Sequence, residues 1–115
     1  MYEKSLTKKD IIAFNQNIGL FGAFTNESSL DYALKTSIHK KNWLYEVSHI
    51  VRSILIDHVF EDGNKRTAFI VVVFYCENNN KQIDKEKLIT SIMKIVKKGI
   101  TNPAIIMRLI YNAIR

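Results

Sequence analysis

One cysteine and one proline in 115 residues set the first limits on this chain. Cys76 has no partner, so no disulfide framework supports the fold. It lies inside the apolar run that starts at Phe69 and reads as a buried, inert thiol. No stretch of 18 or more apolar residues occurs, which excludes a membrane-spanning helix. The first residues, Met1-Tyr2-Glu3-Lys4-Ser5, are charged and polar and do not read as a secretory signal. Without disulfides or an export signal, the expected compartment is the cytoplasm. Glycine is sparse too, at positions 19, 22, 63 and 99, where it punctuates the chain rather than filling it. With no repeat, low-complexity tract or linker, residues 1–115 are expected to form a single domain with one core.

The charge is one-sided. The chain carries a net +6, and its cations are mostly Lys. The Lys pairs (Lys8-Lys9, Lys40-Lys41, Lys97-Lys98) are scattered and read as solvated helix faces. Attraction to a polyanion or an acidic protein is the sharper alternative, and +6 alone does not choose between nucleic acid, nucleotide and acidic partner.

The apolar residues recur mainly at helical spacing. Thr7 opens a capping box with Asp10, followed by Ile11, Ile12, Phe14 and Ile18, and Gly19 stops the helix. Residues 15–29 read as a loop or short hairpin. Ser29-Leu30 opens a second helix to about Ile38. A third, from Asn42 to His58, carries Leu44, Val47, Ile50, Val51, Ile54 and Leu55 on one face. A fourth runs from about Asn64 to Asn79. Its Phe69–Tyr75 stretch is β-branched and aromatic, but the segment from Lys65 to Glu77 is longer than a usual strand and has no second strand to pair with. A helix apolar on all faces suits a central position. Asp84 caps a fifth helix with Leu88, Ile89, Ile92, Ile95 and Val96 inward and Gly99 as its stop. Asn102-Pro103 starts a sixth, with Ile105, Ile106, Leu109, Ile110 and Ala113 inward. The expected fold is all-α, a compact bundle of about six helices around a central apolar helix.

Reactive groups concentrate in one stretch, His58-Val59-Phe60-Glu61-Asp62-Gly63-Asn64-Lys65-Arg66. His58 can accept a proton near neutral pH. Asp62 is a hard oxygen ligand suited to Mg²⁺, which takes one or two carboxylates plus substrate phosphates. Gly63 permits a tight turn. Asn64, Lys65 and Arg66 open the next helix, whose free N–H groups and dipole favour an anion. Arg66 can grip phosphate oxygens bidentately, while Lys65 acts as a point charge. Phe60, between base and metal ligand, is expected to pack inward and anchor the loop. The set suits in-line phosphoryl or nucleotidyl transfer to a hydroxyl, which depends on positioning and charge neutralisation. No Walker-type glycine loop is present and no strand precedes the site, which excludes an ordinary P-loop or protein-kinase fold. The other histidines read as structural: His49 falls on the third-helix pattern, and His39 in a basic turn.

The stretch from His58 to Phe69 resembles the signature of the Fic/Doc family, H-P-F-x-D/E-G-N-G-R-x-x-R. The likeness in helix order and length extends over about residues 5–80, and the small size is similar to that of the Doc toxins. Val59 replaces the Pro, Lys65 the second Gly and Phe69 the final Arg. The Doc toxins also have N-K-R and lack the last Arg. In adenylylating Fic enzymes that Gly and Arg accommodate the inner phosphates of ATP, a space a lysine side chain fills. The resemblance therefore implies a Doc-like toxin, which transfers the terminal phosphate of ATP to a hydroxyl of a translation factor such as elongation factor Tu. It implies His58 as base, Asp62 as Mg²⁺ ligand, and Gly63, Asn64, Lys65 and Arg66 as the phosphate cradle. Residues 15–29 would occupy the place of a flap that aligns the target peptide. The family's inhibitory motif has Ser or Thr four residues before a Glu, and no Glu here is so preceded. A separate antitoxin protein is the implied restraint. Fic-type AMP transfer is the alternative, because Asp62 and Gly63 keep the general form. A non-catalytic module that binds a partner or nucleic acid is a third reading, although no nucleic acid is expected by resemblance.

Overall fold

A short polar side chain takes the first amides of nearly every helix, and these caps set where the elements begin. The computed structural model describes residues 6–37 and 42–115. Helix α1 spans Lys8–Asn17, α2 Glu27–Ser37, α3 Trp43–Ile56, α4 Asn64–Asn78, α5 Lys85–Lys98 and α6 Pro103–Ala113. Thr7 and Asp10 close the expected capping box on α1. Asn42 accepts from Leu44 and Tyr45 ahead of α3, Asp84 from Lys87 ahead of α5, and Asn102 from Ala104 ahead of α6. No side chain caps α4. Among the described residues there is no extended strand, only isolated bridges between Phe24 and Phe60 and between Ile83 and Ile114. Among the described residues no helix is long and apolar enough to cross a membrane.

The apolar run Phe69–Tyr75 is helical, as expected for a chain offering it no partner strand. Helix α4 packs against α1, α3 and α5 and shares the middle of the bundle with α3, which touches α2, α4, α5 and α6. Val47, Ile50, Val51, Ile54 and Leu55 of α3 meet Ala68, Val71, Val72, Tyr75 and Cys76 of α4 within one continuous core. Burial pushes the Cys76 thiol up to about 11.

Some boundaries differ from expectation for local reasons. Helix α2 starts two residues early because Asn26, rather than Ser29, stands ahead of it, its side chain accepting from the Ser29 N–H. Its expected end at Ile38, together with His39, the Lys40-Lys41 pair and the N-terminal Met1–Ser5, lies outside the described residues. Helix α3 stops at Ile56, because Asp57 leaves helical geometry and His58 turns left-handed. The inward stripes of α5 and α6 are narrower than their apolar sequences. Leu88, Ile92 and Ile95 are buried, but Ile89 is 52% exposed; Ile105 of α6 is likewise 41% exposed. Each lies about 100° around its helix from a buried neighbour, past the edge of the contact with the bundle.

One buried polar contact ties three parts of the chain together. The Tyr75 hydroxyl on α4 donates to the Glu46 carboxylate on α3 and accepts from the Leu6 N–H at 3.1 Å. Glu46 is 2% exposed, so its carboxylate depends on protein donors. Tyr75→Phe is expected to cost about 2 kcal/mol, read as a lower urea midpoint at unchanged slope.

Candidate functional site

The loop between α3 and α4 is built on a left-handed residue at each end. His58 has φ +51 and Gly63 has φ +75. Between them the chain is anchored from inside. Phe60 is 1% exposed and its ring stacks on Phe24 with centroids 5.3 Å apart. The backbone pairs with the segment before α2: Thr25 and Asn26 donate to the Val59 carbonyl at 2.8 and 3.1 Å, and Glu61 donates to the Ala23 carbonyl at 3.0 Å.

His58 is exposed and lies between two fixed neighbours. Val59 is buried. The Asp57 carboxylate accepts from Ser29 Oγ at 2.6 Å and Arg52 at 3.0 Å, and its carbonyl accepts from Asn26 Nδ2 at 3.3 Å. These contacts flank a backbone conformation at His58 that L residues seldom adopt.

Gly63 has no room for a side chain. A Cβ there would lie 2.3 Å from Leu20 Cδ1 and 3.1 Å from Ile18 Cδ1. The segment after α1 therefore rests directly on the Gly63 turn. Phe21, at its tip, is 90% exposed. This segment forms no hairpin of its own; it pairs with the site loop through Phe24 and Phe60.

A pocket of about 420 Å³ opens beside this turn, lined by His58, Glu61, Asp62, Gly63, Asn64, Lys65 and Arg66 together with Leu20, Leu55 and Val96. Every sequence-identified site residue lines it except Phe60, which lies beneath. Asn64 differs from expectation in detail. Its side chain accepts from the Phe60 N–H at 3.0 Å and donates to the Phe60 carbonyl at 2.9 Å, so it braces the loop. What Asn64 offers an anion is its backbone amide, at a helix start that no side chain caps. Lys65 and Arg66 are exposed, and among the described residues neither has a carboxylate partner.

The donor set bears on which metal could fit. Asp62 Oδ1 accepts from the Gly63 N–H at 2.7 Å, leaving Oδ2 for a ligand. No group of three His, Cys, Asp or Glu side chains gathers among the described residues. One or two carboxylates, Asp62 with Glu61 beside it, at an uncapped helix start fit Mg²⁺ held jointly with phosphates and water, and not a metal caged by protein alone.

Sequence reading missed Asn15. It looked like the first residue of a loop, but it is a buried residue of α1 bonded to the site loop, to α4 and to the segment over Gly63. A polar residue on the Ile11–Phe14–Ile18 side of an amphipathic helix is the signal that could have found it. Arg52 and Asp57 were missed for a related reason, since nothing in their spacing indicates that Ser29 lies beside them.

Comparison with known proteins gives no match: no family model, curated protein or solved structure is similar to this chain at a significant level.

Proposed function

We propose that the chain is a Doc-like protein phosphotransferase that moves the terminal phosphate of ATP to a hydroxyl of another protein, by the sequence resemblance a translation factor such as elongation factor Tu. The observation that supports it is the gathering of His58, Asp62 and the uncapped, cation-flanked start of α4 around one pocket. An imidazole, a hard carboxylate and a helix start free to take an anion are what transfer to a hydroxyl requires.

In this reading, His58 takes the proton of the target hydroxyl. The oxygen forms a bond to the γ-phosphorus as the bond from that phosphorus to the β–γ bridging oxygen breaks, and ADP leaves. Mg²⁺, when bound at Asp62, would neutralise phosphate charge. The amides of residues 64–66 and the side chains of Lys65 and Arg66 orient the phosphates. Glu61 is set toward the pocket with Asp62, while Phe60 and Asn64 keep the loop rigid. A separate antitoxin would supply the restraint that no internal Ser/Thr–Glu motif provides.

The test is the intact mass of a translation-factor substrate after incubation with ATP and Mg²⁺. A gain of one phosphate, with label carried from γ-labelled ATP, is expected. An AMP-sized gain, with label from the α position, replaces this reading by Fic-type adenylylation. No gain on any tested protein, with salt-dependent binding of nucleic acid instead, would favour the non-catalytic module.

A further inference from the structure

We propose that Asn15 is a positioning residue that sets the place of the Asp62 carboxylate relative to the start of α4; this rests on the function proposed above. Asn15 is 1% exposed. Its Nδ2 donates to the Asp62 carbonyl at 3.0 Å and to Thr67 Oγ1 at 3.2 Å. Its Oδ1 accepts from the Gly22 N–H at 2.9 Å. Both amide hydrogens and the oxygen are thus engaged, and these three partners allow only one orientation of the amide. The amide also lies against Gly63, with Nδ2 3.3 Å from where a Cβ would be.

The three partners belong to three different parts of the site. Asp62 carries the carboxylate in the pocket. Thr67 is buried in the first turns of α4, whose leading residues line the pocket. Gly22 belongs to the segment that rests on Gly63. One side chain therefore fixes the distance between carboxylate and helix start, and holds the covering segment in register with both. A residue with this arrangement acts through Asp62 and not on the reacting atoms. His58 is placed through its own neighbours instead: Asn26, Ser29 and Arg52 bond Asp57, and Thr25 and Asn26 bond the Val59 carbonyl. Disturbing Asn15 should weaken metal–phosphate binding and leave proton removal intact.

The experiment compares the full wild-type chain with Asn15→Ala and Thr67→Val. Titration calorimetry with ADP, with and without Mg²⁺, is read alongside hydrogen exchange of residues 20–24 and 61–66. In Asn15→Ala, Mg²⁺·ADP binding is expected to weaken about tenfold, as for other residues that orient a metal ligand, with metal-free ADP affected less. Exchange should speed up in both segments. Thr67→Val keeps the buried volume, removes one of the two acceptors and folds even if Asn15→Ala does not; a smaller change in the same direction is expected. A folded variant with faster exchange but unchanged Mg²⁺·ADP affinity overturns the positioning role and leaves a purely structural one. Unchanged exchange overturns the clamp itself. A wild-type chain that binds no Mg²⁺·ADP at all overturns the proposed function, and Asn15's role with it, whereas binding by wild type and equal binding by the variants overturns the Asn15 role alone.

Discussion

Replacing His58 by Asn is expected to abolish phosphate transfer while the chain stays folded. The loss should be about 10²–10⁴-fold, the range a positioned general base contributes. It should fall on kcat and kcat/KM alike, because the base acts only as the hydroxyl is activated. Mg²⁺·ADP binding should be retained, because the imidazole lies at the opposite end of the loop from Gly63 and the start of α4. Asn suits the test because it is among the residues that tolerate φ near the +51 of this position. The side chain is exposed, so little packing is lost and stability should change by less than about 0.5 kcal/mol. His58→Gly sharpens the test, because it relieves a left-handed backbone that costs an L residue roughly 1–2 kcal/mol. That variant should be at least as stable as the wild type in urea and equally inactive. A strained residue whose relief leaves the fold intact but removes activity is one retained for chemistry. Transfer by either variant at near wild-type rate would remove His58 from the reaction.

The helices were legible in the sequence because each level of signal agreed. At α1, α5 and α6 a cap residue coincided with an apolar period, at α3 the apolar period alone carried the reading, and those starts match the structure. Helix α4 was the hard case. Its residues favour strand, and the length of the segment and the lack of a partner strand decided for helix; the interior of the bundle then accepts a helix with almost no polar face. The grouping of His58, Asp62, Gly63, Asn64, Lys65 and Arg66 was legible for a simple reason, since they are consecutive or nearly so. The supports of the loop were not. Asn15 lies 47 residues from Asp62, and Ser29 lies 28 from Asp57. A hydrogen bond across such a separation leaves no periodic trace in a single sequence. Asn64 shows a subtler limit. Its position at the helix start was correctly read, but the direction of its side chain toward Phe60 depends on the left-handed turn at Gly63, a tertiary property.

Gly63→Ala is expected to damage stability and activity together, through two separable causes. The first is the backbone. At φ +75 a Cβ adds roughly 1–2 kcal/mol of strain. The second is space, since the new methyl would lie 2.3 Å from Leu20 Cδ1. Leu20 sits at the end of a flexible side chain and can rotate away, but only by leaving the Gly63 turn it covers. The turn is also where Asp62 Oδ1 meets the Gly63 N–H and where Asn15 grips the Asp62 carbonyl. A shift there moves the carboxylate away from the leading amides of α4. Stability should fall by about 2 kcal/mol, and Mg²⁺·ADP affinity by at least tenfold. The two causes can be told apart with Leu20→Ala. Removing the leucine in the Gly63→Ala background takes away the closest clash and leaves the strain and the milder contacts with Ile18 and Asn15, so the double variant should be more stable than the sum of the two single losses predicts. A coupling of about 1 kcal/mol in a double-mutant cycle is the expected sign of contact. Strict additivity would mean that Leu20 does not rest on this turn in solution, and the covering segment would then have to be placed elsewhere.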